Sequence, residues 1–180
     1  MIKKIIIAIV VAVVGYFAYG VLTTRSHSPL TTAEGSSGDL SVSVDYCQPY
    51  KKGRLIFGEA SEEALVPYGK YWRLGANDAT EITFSHKVNF AGKAVAAGRY
   101  RMYAVPNTDH WEVSLNSQLG EFGYFEPDYT LDVVKVQVPV QDGPTGGIEQ
   151  LTMAFDSDST GLLLNIAWDE TMVSVPIAQQ

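Results

Sequence analysis

LLLNIAWDETMVSVPI, residues 162–177, decides the fold class. Leu162, Leu164, Ile166 and Trp168 fall at every second position, and Val173, Val175 and Ile177 repeat the pattern. Alternate residues of an extended chain share one face, so each run describes a strand with one buried side. Asp169-Glu170-Thr171 between them is short and polar, which suits a tight hairpin and sets the runs antiparallel.

The same period recurs upstream. Leu40, Val42, Val44 and Tyr46 open the series, followed by Ile82 and Phe84, then Tyr100, Met102 and Ala104. Trp111, Val113 and Leu115 come next, then Val134, Val136 and Val138, then Leu151, Met153 and Phe155. Turn chemistry separates the runs at Ala91-Gly92-Lys93, Pro106-Asn107-Thr108-Asp109, Asp142-Gly143-Pro144 and Asp156-Ser157-Asp158. About eight or nine strands without a long amphipathic helix or internal repeat predict an all-β domain. Its expected form over residues 39–180 is a single antiparallel β-sandwich or flattened barrel. Ser61–Leu65 has room for one helical turn. Gly120–Thr130, aromatic and carrying Pro127, reads as a long loop packed over one end.

The amino terminus is different. Lys3 and Lys4 precede an unbroken apolar run, IIIAIVVAVVGYFAYGVL, from Ile5 to Leu22. As a helix it spans roughly 27 Å, enough for a hydrocarbon core. The run predicts one transmembrane helix over residues 1–22, with the leading lysines cytoplasmic and the domain in the periplasm or outside the cell. A cleaved signal peptide, with Ala18-Tyr19-Gly20 as its small-x-small site, is the alternative; its usual apolar core is shorter than this run. Residues 23–38, rich in Ser, Thr and Gly, read as a polar tether.

Composition narrows the function classes. Hydrophobic content of 46% with 18% charged residues excludes a disordered chain. The net charge is −7, and without Lys3 and Lys4 there remain 11 basic against 20 acidic residues. A field of that sign repels nucleic acid. The single Cys47 excludes an intrachain disulfide and a Cys-rich zinc site. His27, His86 and His110 lack the spacing of a metal pair, so no metal or cofactor is expected. Ser85 and His86, read as strand neighbours, point to opposite faces and cannot pair as nucleophile and base. Asp156 and Asp158 lack the remaining ligands of a calcium loop.

The densest concentration of special residues runs from Cys47 to Thr80. It holds Tyr50-Lys51-Lys52-Gly53-Arg54, Ile56-Phe57-Gly58, Leu65-Val66-Pro67-Tyr68-Gly69 and Trp72-Arg73-x-Gly75-Ala76-Asn77-x-Ala79-Thr80. With Ala97-Gly98-Arg99-Tyr100, Trp111-Glu112-Val113 and Trp168, these motifs resemble domain-of-unknown-function family 2911 over about Leu40 to Ile177. The resemblance implies a β-rich, exported envelope protein of Bacteroidetes type, and no established activity.

Two roles compete for this stretch. Lys52, Arg54 and Arg73 supply cationic donors for a carboxylate or phosphate, and Tyr50, Tyr68, Trp72 and Asn77 supply aromatic faces and an amide for a sugar. The same residues also suit structure: a solvated basic turn, Trp72 as a core plug, Arg73 stacked on a ring or held by a buried carboxylate, Asn77 capping its loop. The expectation is a membrane-tethered extracytoplasmic module that binds an anionic or saccharide-like ligand through Tyr50, Lys52, Arg54, Tyr68, Trp72, Arg73 and Asn77. Arg54 and Arg73 are expected to face one cleft. The alternative is a non-catalytic accessory subunit docking onto a larger envelope complex, with the same loops as anchors. An enzyme is the lesser alternative, since no complete catalytic constellation is visible.

Overall fold

The computed structural model describes residues 2–158 and 160–180, with backbone only for residues 2, 5–8, 17–19, 21–25 and 158. One helix, α1 (Ile2–His27), leads into β1 (Leu30–Ser37), β2 (Leu40–Cys47), β3 (Phe57–Gly58), β4 (Val66–Pro67), β5 (Thr80–Phe84), β6 (Val88–Phe90) and β7 (Lys93–Val95). Then follow β8 (Gly98–Pro106), β9 (His110–Asn116), β10 (Asp132–Asp142), β11 (Ile148–Asp158), β12 (Gly161–Asp169) and β13 (Thr171–Gln179). Eleven strands form one antiparallel sheet, its main path β1-β2-β5-β8-β9-β10-β13-β12-β11, with β6 between β13 and β7. β3 and β4 form a separate parallel pair.

The sheet curls into a nearly closed barrel, and two contacts draw its ends together. Gly35 of β1 lies so close to β11 that an added Cβ would stand 2.6 Å from Cγ of Phe155. At the other end, the chain leaving β2 pairs with the start of β11. Tyr50 bridges Gln150, and Leu151 donates its N–H to the Pro49 carbonyl at 3.0 Å. Closure of this kind protects sheet edges from pairing with other chains.

The eight alternating runs are all strands, and their expected faces point inward. Val44, Ile82, Met102, Val113, Leu164, Ile166 and Val175 are fully buried. Trp72, Trp111, Trp168 and Phe57 form an aromatic plug, with centroid separations of 5.4 Å for Trp72–Trp111 and 6.1 Å for the stacked Trp72–Trp168 pair. Such pairs add to the burial of large apolar area. At the tip of the last hairpin Trp168 pairs with Thr171, and Asp169 takes the left-handed φ of 55°.

The alternation misses β3, β4, β6 and β7, which are two or three residues long and too short to display a period. A larger correction concerns the tether. Residues 30–37 are not loose chain but a full strand, pairing with β2 from Leu30↔Cys47 to Ser37↔Leu40. Its inward face, Thr31, Ala33, Gly35 and Ser37, is small and only half-buried, so it carries no apolar signal, and backbone hydrogen bonds to β2 help recruit it to the sheet.

Over residues 5–22 the expected helix is present within α1, but among the described residues no helix is long and apolar enough to cross a membrane. Much of that apolar run lies outside the described side chains. The expected single turn near Ser61 is a short 3₁₀ turn at Ala60–Glu62. Ser85 and His86 depart from expectation: β5 ends at Phe84, and in the bend that follows Ser85 Oγ lies 2.9 Å from His86 Nδ1. Both are exposed, Ser85 Oγ also accepts from the Ser41 N–H, and no carboxylate meets the ring among the described residues.

Candidate functional site

Lys51-Lys52-Gly53-Arg54 is a tight turn in which the Arg54 N–H donates to the Lys51 carbonyl at 3.1 Å. Lys52 and Gly53 both take positive φ, 49° and 68°, the geometry that makes glycine useful at the second position. The Arg54 guanidinium folds back over the turn, donating to the carbonyls of Tyr50 and Lys51. Glu149 caps the Lys52 N–H at 2.8 Å, and Lys51 Nζ reaches Asp169 at 2.5 Å. That hydrogen bond to Asp169 holds the Lys51 ammonium pKa above its usual range. The turn is thereby pinned to β11 and to the tip of the β12–β13 hairpin.

The Tyr71–Ala76 segment runs across the same end of the barrel. Trp72 exchanges backbone hydrogen bonds with Ala104 of β8 at 2.8 and 2.9 Å, which drives its indole into the plug. Gly75 is required here, because a Cβ would stand 2.8 Å from the Cys47 carbonyl oxygen. Segment 121–125, hereafter the strap, docks alongside: Gly123 N–H donates to the Asn77 carbonyl, and Tyr71 Oη donates to the Gly123 carbonyl, both at 2.9 Å. Gly123 allows this approach, since a Cβ would stand 2.7 Å from Arg73 Cδ.

Between turn, segment and strap lies a cavity of about 600 Å³. Trp72 and Trp168, themselves buried in the core, reach its lining; Lys52, Arg54 and Arg73 bring positive charge to its walls; Tyr50, Tyr71 and Tyr124 add rings. Arg54 and Arg73 therefore share one cavity, as do five of the residues singled out from sequence: Tyr50, Lys52, Arg54, Trp72 and Arg73. Tyr68 and Asn77 are not among its walls. Tyr68 packs half-buried against the core. Asn77 is buried at a left-handed φ of 56° and receives the strap through its carbonyl, a structural role.

Arg73 departs from the expected pairing with a buried carboxylate. No described ion pair includes it, and its Nε is buried without a hydrogen-bond partner. Burial pushes its pKa below the ordinary arginine value, offset only by Tyr71, Cys47 and Tyr124. A half-buried guanidinium without an acid, facing a cavity partly lined by aromatic rings, can accept an anionic group that stacks or packs on the rings.

Sequence reasoning missed Tyr71, Tyr124 and Trp168 as wall residues. Trp168 was legible only as a core position, and Tyr124 lay in a loop whose path no local signal specifies. That loop covers one end of the barrel, as expected, and also runs over the outward side of β8 and β9, where Arg101 and Asn116 donate to the carbonyls of Phe125 and Asp128. A second hollow of about 480 Å³, outside β2 and β5, is lined mainly by hydroxyls such as Ser41, Ser43, Thr83 and Ser85. Among the described residues no cluster of three His, Cys, Asp or Glu side chains is placed to hold a metal ion.

No curated protein matches the chain, and no solved structure does. A family model does, over residues 28–177, a span that takes in β1 and every wall of the cavity except His27. The chain belongs to the family described as protein of unknown function (DUF2911).

Proposed function

We propose that the domain is a binding module for a small ligand carrying a carboxylate, of uronic-acid type, held in the cavity between Tyr50 and Tyr124. The observation that supports it is Arg73, which lines the cavity beside Tyr71, Trp72 and Tyr124, belongs to no described ion pair, and has a buried Nε without a hydrogen bond. The carboxylate meets the Arg73 fork, Lys52 and Arg54 add positive field at the walls, and the sugar ring packs on the aromatic faces. In calorimetry with the full chain in mild detergent, D-galacturonate is expected to bind and D-galactose to bind at least about tenfold more weakly, one charge-assisted contact being worth about that much. Arg73→Lys keeps the charge and removes the fork. It is expected to lower galacturonate affinity about tenfold while leaving the melting temperature within a few degrees of wild type. Wild-type affinity in Arg73→Lys defeats the assignment.

A second reading, docking onto a larger envelope complex, is favoured by Phe122, Tyr124 and Phe125, which are 48%, 70% and 63% exposed on the strap. In either case the apolar run from Ile5 to Leu22 after Lys3 and Lys4 supports attachment to the cytoplasmic membrane, with the domain on the far side. The full-length chain is then expected to stay in the membrane fraction through high-salt and carbonate washes. Protease added from outside should reach the domain. Release by carbonate defeats the anchor.

A further inference from the structure

We propose that Arg101 is a second anion-binding group of the same site, uncovered when the strap lifts, and that the natural ligand is a dianion. This rests on the cavity reading above. Arg101 lies on β8 between residues whose neighbours Met102 and Ala104 enter the core, so its own side chain points outward, under the strap. It is nevertheless only 1% exposed. One terminal nitrogen donates to Tyr71 Oη and to the Phe125 carbonyl, each at 2.5 Å. The other, and Nε, are buried with no partner.

The cross-strand neighbours that could neutralise it or accept its hydrogen bonds have other partners. Glu81 sits directly across the sheet from Arg101, yet one of its oxygens is held by Arg99 at 2.5 Å and the other by the Gly120 N–H at 2.9 Å. On the other side Asn116 gives its amide to the Asp128 carbonyl and to Asp132. The Tyr71 ring, 5.8 Å from the guanidinium carbon, offers a cation–π contact and no counter-charge. A buried guanidinium with two idle nitrogens is therefore short of one anion.

Tyr71 joins this group to the cavity. It lines the cavity together with Arg73, its hydroxyl accepts from Arg101, and both guanidinium charges act on that hydroxyl. The strap over Arg101 is held by backbone contacts to Asn77, Ala79, Tyr71 and Arg101, while Phe122, Tyr124 and Phe125 face solvent. An element that buries so little apolar surface opens at small cost. Lifting it withdraws the Phe125 carbonyl, and an anionic group takes that place on the Arg101 fork while a second stays on Arg73.

The probes are D-galactarate, with two carboxylates, and D-galacturonate, with one. Wild-type full-length protein is expected to bind galactarate at least tenfold tighter than galacturonate. Arg101→Lys should erase that preference and keep galacturonate binding. Because Arg101 is buried and its variant can fail to fold, a disulfide lock supplies the independent arm. Asp78 and Phe122 face each other across a two-stranded bridge flanked by hydrogen bonds, the close non-bonded pairing that suits a disulfide. Cys47 is buried and does not compete. Oxidised Asp78→Cys/Phe122→Cys should lose the galactarate preference, and reductant should restore it. A wild type without the preference, a lock that retains it, or a folded Arg101→Lys that retains it overturns the proposal. If Arg73-dependent galacturonate binding persists in those cases, only the role of Arg101 falls; if neither probe binds wild type, the cavity reading falls too.

Discussion

Trp111→Ala is expected to destabilise the domain by about 3–5 kcal/mol, as truncation of a fully buried aromatic does. The indole is 0% exposed on β9, and its ring lies 5.1 Å from Phe57 and 5.4 Å from Trp72. No side chain nearby is free to fill the void, because the plug is already made of the largest residues in the chain. The indole N–H has no partner, so the loss is one of packing and not of hydrogen bonding. Against a typical total of roughly 5–15 kcal/mol, such a loss leaves many domains partly unfolded. Urea denaturation followed by far-ultraviolet circular dichroism measures it. Trp72 rests on this ring and reaches the cavity lining, so binding should weaken along with stability. A shift below about 1 kcal/mol would mean that the plug collapses around the gap and that the barrel is softer than its packing suggests.

Gly35→Ala is expected to cost about 1–3 kcal/mol, the range for forcing a methyl into a packed site. The new Cβ would stand 2.6 Å from Cγ and 2.7 Å from Cβ of Phe155, atoms near the base of that side chain that cannot swing away. Since this contact joins β1 to β11, the variant should also loosen the barrel seam, seen as faster amide exchange along both strands. The decisive experiment is the double variant with Phe155→Ala. Removing the ring removes the clash, so the pair should be at least about 1 kcal/mol more stable than the two single effects combined predict. Strict additivity would show that the seam is not closed by this contact.

How much of this was legible from the residues depends on what each position needed. Val113 and Ile166 announce themselves, because a strand with one buried face must place apolar side chains at every second position. Leu30–Ser37 does not, because its place in the sheet is secured by backbone groups that every residue carries. Ser85 and His86 were misjudged for a related reason: face alternation holds only while the strand continues, and β5 stops at Phe84. In the site, Lys52, Arg54, Trp72 and Arg73 stood out by type and density. Arg101 did not, since Arg99, Arg101 and Tyr103 at alternate positions read as an ordinary wet face until the strap is laid over it.

By itself the sequence determined the β class, the inward face of each long strand after β1, and the basic, aromatic stretch that forms one end of the barrel. Those are local properties: side-chain period, turn residues, and the φ that Lys52-Gly53 adopts. Only the tertiary structure decided that β1 closes toward β11, that Trp168 meets Trp72 beneath a cavity, and that neither Arg73 nor Arg101 receives a carboxylate. The physical reason is that charge compensation and closure depend on partners far apart in the chain. Twenty acidic residues made a counter-ion for every arginine look available. The fold commits Glu81 and Asp45 to Arg99, and Asp169 to Lys51, and no described ion pair includes Arg73 or Arg101.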